Sequence, residues 1–158
     1  MAYAYISGSI THMPKEWWGI YEKIADVVRD FGIDAYIPHI QSPKNAKVTM
    51  DEIRNSKNDT DVFHGDIFHN DTSHVERSSL VIAEVSNPSI GVGIEIGIAF
   101  KSGKPVIFLA QKNAKVTPLA IGATQAGLAH MVRYETEEGA LDGLKNLLEK
   151  EFNHLVTA

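Results

Sequence analysis

Five short apolar segments are spaced along the chain and separated by longer amphipathic or polar stretches. Runs of four to seven mostly apolar residues, rich in Val, Ile and Tyr, are typical of strands that are buried on both faces. We therefore predict five strands, within AYAYIS (residues 2–7), IDAYIPH (33–39), LVIAEVS (80–86), KPVIFLA (104–110) and LAHMVRY (128–134).

Helical spacing of apolar residues predicts helices between these strands. Between Trp17 and Phe31 the apolar residues recur at intervals of three and four, after Pro14 and before a glycine that ends the helix. Further helices are predicted over 69–79, from residue 91 to about 103, and over 136–155, where Thr136 is the expected N-cap. The polar segment 41–68 is predicted to be a long loop or lid, with a short helix near 49–57.

The alternation of strands with helices favours a parallel sheet that is covered by helices on both faces. We predict an α/β fold in one domain over residues 1–158, a Rossmann-like (flavodoxin-like) doubly wound sheet of five parallel strands. Such sheets bind ligands outside the carboxyl ends of their strands. The segments predicted near such ends are Ser7–Thr11, the region of Asp71, and Ser86–Glu95.

Composition narrows the classes of partner. Of the 158 residues, 44% are hydrophobic and 22% are charged, which is typical of a globular protein. The formal net charge of -5 is unfavourable for coating nucleic acid polymers or anionic membranes. There is no cysteine, so disulfides and thiolate metal sites are excluded. No apolar run reaches the length of a membrane span, and the N-terminus lacks the basic region of a signal peptide. We expect a cytoplasmic protein that has no membrane partner.

Glu95 is the acid that the sequence makes conspicuous, because it lies within the apolar segment SNPSIGVGIEIGIAF (residues 86–100). A buried carboxylate is costly unless it is paired or used. Gly91 and Gly93 precede it, which places it in or near the first turn of a helix, where the helix dipole would keep it ionised. The alternative is a helix-start glutamate in solvent, and for Asp71 the alternative is an N-cap of the following helix.

Three other patterns indicate or exclude a ligand. SGSITH (residues 7–12) places Gly8 between two serines, so its backbone N–H groups and hydroxyls suit an anion, although a plain turn would have the same sequence. GVGIEIG does not match the dinucleotide-binding pattern G-x-G-x-x-G. Histidines 64, 69 and 74 are spaced by five residues and do not share a helical face, so we predict no metal site and no cofactor.

The order of these motifs resembles the nucleoside 2-deoxyribosyltransferase family over about residues 3–150, and within it the 2'-deoxynucleoside 5'-phosphate N-hydrolase branch. The motifs are YISGSI (5–10), HND (69–71) and VIAEVSNPSIGVGIEIGIAFKSGKPVIFL (81–109). The resemblance implies that Glu95 is the nucleophile, that Asp71 activates the base or water, and that Tyr5 contacts the nucleophile. It also implies a substrate-binding set of Gly8, Ser9, Ile10, Thr11, His12, Ser89, Gly91 and Thr117.

The chain departs from the branch at two positions. The branch has an arginine and glycines after G-S-I, whereas this chain has Thr11, His12 and Met13, which removes a bidentate phosphate ligand. Thr11, His12 or Lys15 are the candidates to replace it. The branch also uses a serine from a neighbouring subunit, for which Thr117 is the nearest hydroxyl here.

The resemblance implies an N-glycosidase that hydrolyses 2'-deoxynucleoside 5'-monophosphates to free base and 2-deoxyribose 5-phosphate. The alternatives are a deoxyribosyltransferase that exchanges bases, and a non-catalytic nucleotide-binding module. The implied partner is a small nucleotide or nucleoside, with a homodimer or higher homo-oligomer that shares active sites. Base preference, the need for the phosphate and the size of the oligomer stay open at this stage.

Overall fold

Five strands form one parallel sheet in the computed structural model, which describes residues 2–156. Along the sheet the strands lie in the order β2-β1-β3-β4-β5 and every neighbouring pair is parallel, which confirms the predicted doubly wound α/β fold. The strands are β1 (Tyr3–Gly8), β2 (Asp34–Tyr36), β3 (Leu80–Glu84), β4 (Val106–Gln111) and β5 (Ala129–Tyr134).

Seven helices cover the two faces of this sheet in the described part of the chain. They are α1 (Gly19–Asp30), α2 (Pro38–Ala46), α3 (Met50–Asn55), α4 (Phe63–Arg77), α5 (Ile90–Lys101), α6 (Pro118–Gln125) and α7 (Glu137–Glu151), with 3₁₀ turns at Lys15–Trp18 and Asn153–Leu155. Helices α1 and α7 pack together on one face, and α4, α5 and α6 cover the other. Thr136 caps α7 as predicted and accepts a hydrogen bond from Gly139 N at 3.1 Å. Across residues 2–156, none of these helices combines the length and apolarity needed to cross a bilayer.

The prediction of a long loop over residues 41–68 is wrong. Helix α2 occupies most of its first part, α3 lies within the region proposed for a short helix, and α4 begins at Phe63 instead of near residue 69. Polar composition concealed α2 and the start of α4, because the residues that α2 buries are small, polar or proline, and α3 contains no buried residue. Their local signals are Pro38 at the start of α2 and the capping box of Thr49 and Glu52 at the start of α3. Helix α6 was also not anticipated.

The two-residue period of β1 sends its side chains to different cores. Ala4 and Ile6 pack into the core beneath α1 and α7, whereas Tyr5 lies in the core of the opposite face, towards α4 and α5. Ser7, two residues after Tyr5, faces the same side and contacts α5. At the end of the strand, a Cβ on Gly8 would lie 2.2 Å from the Tyr21 ring, so only glycine fits there. This arrangement directs two polar side chains of β1 at the helix that carries Glu95.

Candidate active site

Glu95 is held by two hydroxyl groups of β1. Tyr5 donates its phenolic hydroxyl to Glu95 Oε1 at 2.7 Å, and Ser7 donates its hydroxyl to Oε2. Each carboxylate oxygen therefore has a donor on the adjacent strand, and the rotamer of Glu95 is fixed from one side. The family resemblance predicts the contact with Tyr5 but not the one with the side chain of Ser7. The two-residue period of a strand was the signal that would have placed it beside Tyr5.

Glu95 lies deeper in its helix than we predicted. It is the sixth residue of α5, which places it in the second turn instead of the first, and the N-cap of the helix is Ser89. Burial raises the pKa of Glu95 from its ordinary 4.5 to about 7, although the hydrogen bonds from Ser7 and Tyr5 oppose this and the charge of Asp71 adds to it. Burial therefore leaves Glu95 only partly ionised near neutral pH, in contrast to the expectation that it stays ionised at the helix start.

Asp71 lies on α4 and receives hydroxyl groups from two other elements. Ser42 of α2 donates to Asp71 Oδ1 at 2.5 Å, and Tyr36 at the end of β2 donates to the same oxygen at 3.3 Å. Asp71 is the ninth residue of α4, so the alternative in which it caps a helix is wrong. Burial raises the pKa of Asp71, and the two hydroxyl contacts act in the opposite direction. Burial therefore makes Asp71 a weaker acid than an exposed aspartate.

A stack of aromatic rings links the surroundings of the two acids. The Tyr5 and Tyr36 rings are stacked with their centroids 5.5 Å apart, and Tyr36 stacks on His74 at 3.8 Å. Tyr5 therefore binds Glu95 through its hydroxyl, and its ring packs on Tyr36, which binds Asp71. Burial lowers the pKa of His74, so the neutral imidazole is favoured in this stack. The stack gives both acids a rigid aromatic support.

A cavity of about 190 Å³ lies between Asp71 and Glu95, and both acids line it. Several of the predicted substrate-binding residues line the same cavity, namely Gly8, Ile10, Thr11, Ser89 and Gly91. A wider cavity of about 710 Å³ shares Thr11, Ser89 and Gly91 and adds His12 and Thr117. Ser9 lines neither cavity; it is buried, and its carbonyl oxygen accepts the Tyr21 hydroxyl at 2.8 Å. The two acids thus line one small cavity that adjoins a wider one, and the wider cavity has the volume that small ligands usually occupy.

Glu84 is a second buried acid, and it lies on the other face of the sheet. Its Oε1 accepts hydrogen bonds from Tyr134 OH at 2.9 Å, from Ser86 N at 3.2 Å and from the Ser86 hydroxyl. The Ser86 hydroxyl oxygen in turn accepts Gln111 N at 2.8 Å. Burial raises the pKa of Glu84. This network fixes the turn between β3 and α5, which carries Ser89 into the cavity.

No group of three or more His, Asp or Glu side chains within residues 2–156 is arranged to hold a metal ion. His64 and His69 are exposed on α4, and His74 is stacked on Tyr36. The polar side chains that line the smaller cavity are the two carboxylates and the hydroxyls of Thr11, Ser42 and Ser89, and the rest of its lining is mostly aliphatic. Acid–base and nucleophilic chemistry is what such a set performs directly.

Three comparisons show which known proteins this chain resembles. This chain resembles a protein of Methanococcoides burtonii that is predicted to be a 2'-deoxynucleoside 5'-phosphate N-hydrolase. The two are 40% identical over 57 residues, which cover 36% of this chain and 47% of the relative. The 5-hydroxymethyl-dUMP N-hydrolase of Rattus norvegicus is 30% identical over 78 residues, 49% of this chain and 46% of that protein. The matches thus span about half the length of these curated relatives.

The fold has solved counterparts. The CMP N-glycosidase of Clostridium botulinum superposes with a TM-score of 0.64 over 91% of this chain and 98% of its own, at 19% identity. Residues 4–151 match the family described as nucleoside 2-deoxyribosyltransferase, nearly the whole of the described chain. This extent of match confirms the family that the motifs predicted, and the chain belongs to the nucleoside 2-deoxyribosyltransferase family.

Proposed function

We propose that this protein is an N-glycosidase that hydrolyses 2'-deoxynucleoside 5'-monophosphates to free base and 2-deoxyribose 5-phosphate. The observation that carries the proposal is the pair of acids at one cavity, with Glu95 held by Tyr5 and Ser7 and Asp71 held by Ser42. Two carboxyl groups in different environments are what cleavage of a glycosidic bond requires. The names of the relatives in Methanococcoides burtonii and Rattus norvegicus support a nucleotide substrate.

In the first step, ionised Glu95 attacks the anomeric carbon as the bond to the base breaks. The electron pair of that bond leaves with the base, and protonated Asp71 supplies the proton that neutralises it. Tyr5 and Ser7 direct the Glu95 oxygens and stabilise their charge through their hydroxyl groups. Deoxyribose suits this step because a sugar without the 2-hydroxyl forms an oxocarbenium-like state more readily.

In the second step, water replaces Glu95 at the anomeric carbon. Asp71, now ionised, takes one proton from the water, and the hydroxide breaks the ester to Glu95. The cycle returns Glu95 to its carboxylate and Asp71 to its acid. Ser42 and Tyr36 keep Asp71 in place for both transfers through their contacts to Oδ1, which leaves Oδ2 to exchange the proton.

The loop after β1 and the start of α5 are the proposed site for the 5' end of the ligand. Ile10 and Thr11 line the cavity opposite Ser89, the N-cap of α5. The helix dipole at Ser89 favours an anion there. His12 and Thr117 line the adjoining wider cavity and are proposed to contact the ligand from the outer side.

Incubation with each deoxynucleoside 5'-monophosphate, followed by chromatography for free base, tests the proposal. We expect release of base, and loss of at least about 1,000-fold in kcat for Glu95→Gln, which cannot attack the sugar. Asp66→Asn is the matched control, because Asp66 is an exposed acid on α4. Full activity of Glu95→Gln would show that another group is the nucleophile.

Base exchange is the second candidate function, because the family is described as a transferase family. A second base added to the reaction separates the two functions. Formation of a new nucleoside or nucleotide supports transfer, and accumulation of free sugar phosphate alone supports hydrolysis.

We propose a homo-oligomer in which a second copy covers the wider cavity. Side chains of α5 and α6 near that cavity are apolar and exposed, with Ile90 86% and Leu119 84% accessible. Gly93 and Gly97 on α5 have open space above them and would allow another chain to approach closely. Light scattering tests this, with Ile90→Glu expected to shift the protein towards monomer.

A further inference from the structure

The carbonyl groups of the loop after β1 (residues 9–14) are held from outside by two side chains. Tyr21 of α1 donates its hydroxyl to Ser9 O at 2.8 Å. Arg54 of α3 donates from Nη2 to Met13 O at 2.9 Å, and its Nε lies 3.5 Å from Thr11 O. Two helices that are distant in sequence therefore fix the peptide planes of this loop.

The orientation of the carbonyls determines where the amide groups point. In a trans peptide the C=O of one residue and the N–H of the next point in opposite directions, and the described chain contains no cis peptide. Because Ser9 O faces Tyr21 and Thr11 O faces Arg54, the N–H groups of Ile10 and His12 point away from those two side chains. Ile10 O accepts from Met13 N at 3.3 Å, which turns the Thr11 N–H outward from that contact.

These amide groups are available as donors. Among residues 2–156, the N–H groups of Ile10, Thr11 and His12 find no hydrogen-bond acceptor. Ile10 and Thr11 line the cavity with the two acids, and Thr11 and His12 line the wider one. Successive free N–H groups along a bent backbone form a concave site for an anion.

Arg54 is itself fixed in place. Its guanidinium lies over the Trp18 ring at 5.5 Å from the centroid, and α3 is joined to the same region by the Lys15–Asp51 ion pair at 2.8 Å. The capping box of Thr49 and Glu52 defines the start of α3, which has no buried residue of its own. The contacts of Arg54 are therefore a main link between α3 and the loop.

We propose that Arg54 is a positioning residue for the substrate's 5'-phosphate, and this rests on the proposed function. The loop lacks an arginine of its own, and Arg54 supplies the guanidinium from α3, behind the loop. Arg54 lines neither cavity, and two of its five N–H groups are directed at Met13 O and Thr11 O. It acts by holding the carbonyls so that the amides of residues 10–12 face the phosphate.

Calorimetry in a Glu95→Gln background tests this proposal without turnover, using one deoxynucleoside 5'-monophosphate and its unphosphorylated nucleoside. We expect Arg54→Gln to weaken binding of the monophosphate by roughly 10- to 100-fold and to leave that of the nucleoside within about threefold. Arg54→Lys should behave in nearly the same way, because an ammonium group cannot bind both carbonyls in the same fork. Lys57→Gln, an exposed cation after α3, is the matched control for the loss of charge.

Several outcomes would overturn the proposal. Unchanged binding of the monophosphate by Arg54→Gln is one, and equal weakening for nucleoside and monophosphate is another, because it indicates collapse of α3. Full binding by Arg54→Lys would show that charge alone suffices. Equal affinity of the parent protein for both ligands would show that the loop holds no phosphate. Absence of base release by the native protein would refute only the proposed function, since the calorimetry measures binding.

Discussion

Tyr5 OH lies 2.7 Å from Glu95 Oε1, so a residue of strand β1 binds the carboxyl group of a helix residue 90 positions later in the chain. Tyr5 is fully buried, and burial together with the charge of Glu95 raises its pKa well above the ordinary value. The phenol therefore remains protonated and acts as a permanent donor. Its hydrogen bond favours the ionised form of Glu95, against a burial that favours the protonated form.

Tyr5→Phe removes that donor and is expected to lower kcat by about 10- to 100-fold, as for loss of a hydrogen bond to a charged group. Without the phenol the pKa of Glu95 rises above about 7, so the rise of activity with pH should shift to higher pH. A pH profile of kcat measures both effects. Tyr3→Phe is the control, because Tyr3 donates to His74 O on the outer side of the ring stack.

An unchanged pH profile for Tyr5→Phe, with an unchanged kcat, would contradict this account of Glu95. If Tyr3→Phe lowered kcat as much as Tyr5→Phe does, the cause would be packing of the aromatic stack and not the loss of the Tyr5 hydroxyl group. Ser7→Ala should act in the same direction as Tyr5→Phe, because its hydroxyl binds the other oxygen of Glu95.

Ser42→Ala tests the positioning of Asp71. Loss of the hydroxyl removes the 2.5 Å contact to Oδ1 and leaves Tyr36 as the remaining donor. Since that contact lowers the pKa of Asp71, its pKa should rise further, and kcat should fall by about tenfold with a smaller change in KM. Steady-state kinetics measure both parameters. Ser73→Ala is the control, because the Ser73 hydroxyl on α4 bonds only within its own helix. A larger effect of Ser73→Ala would refute the positioning role.

The fold was predictable because its strands are continuous apolar runs and the helices between them have clear periodicity. The strands were located to within a few residues, as in AYAYIS for β1 and KPVIFLA for β4. Helices α2 and α6 were not predicted because they are short and no regular apolar stripe marks them. Helix α3 lies within the short helix predicted near residues 49–57. Capping residues were the only local sign of α3.

The candidate site was predictable in its residues and less so in its geometry. The motifs led to Asp71 and Glu95, which line one cavity, and to Tyr5, which lines neither cavity and bonds to Glu95 from behind. Ser42 was missed because it lies in the segment interpreted as a loop, and only the tertiary contact of α2 with α4 brings it to Asp71. The pKa of Glu95 also depends on burial, which spacing along one helix does not reveal.

Glu95→Gln is expected to stabilise the protein above neutral pH. An acid whose pKa is raised from 4.5 to about 7 on folding opposes folding when it is ionised, so stability falls as pH rises across that window. The cost is about 3 kcal/mol at pH 8 and falls to about 0.4 kcal/mol at pH 4.5. Urea unfolding at both pH values should therefore show a gain for Glu95→Gln at pH 8 and little at pH 4.5. An equal change at the two pH values would mean that packing, and not ionisation, determines the difference.

Gly8→Ala is expected to lower the free energy of unfolding by about 1–3 kcal/mol, because the added Cβ would lie 2.2 Å from the Tyr21 ring. Tyr21 is buried and its hydroxyl is bound to Ser9 O, so the ring cannot move aside without loss of that contact. Gly65→Ala on α4 has nothing within 4 Å and should leave stability unchanged or raise it by up to about 1 kcal/mol.

A double-mutant cycle with Tyr21→Leu identifies the clash as the cause. If the ring is what the new methyl group meets, Gly8→Ala should cost less in the Tyr21→Leu background than in the native chain, by about 1 kcal/mol or more. Additive losses would show that the backbone of Gly8, and not its approach to Tyr21, requires glycine. Because displacement of Tyr21 also frees Ser9 O, Gly8→Ala should weaken binding of the monophosphate more than that of the nucleoside, by the same route through the loop that is proposed for Arg54.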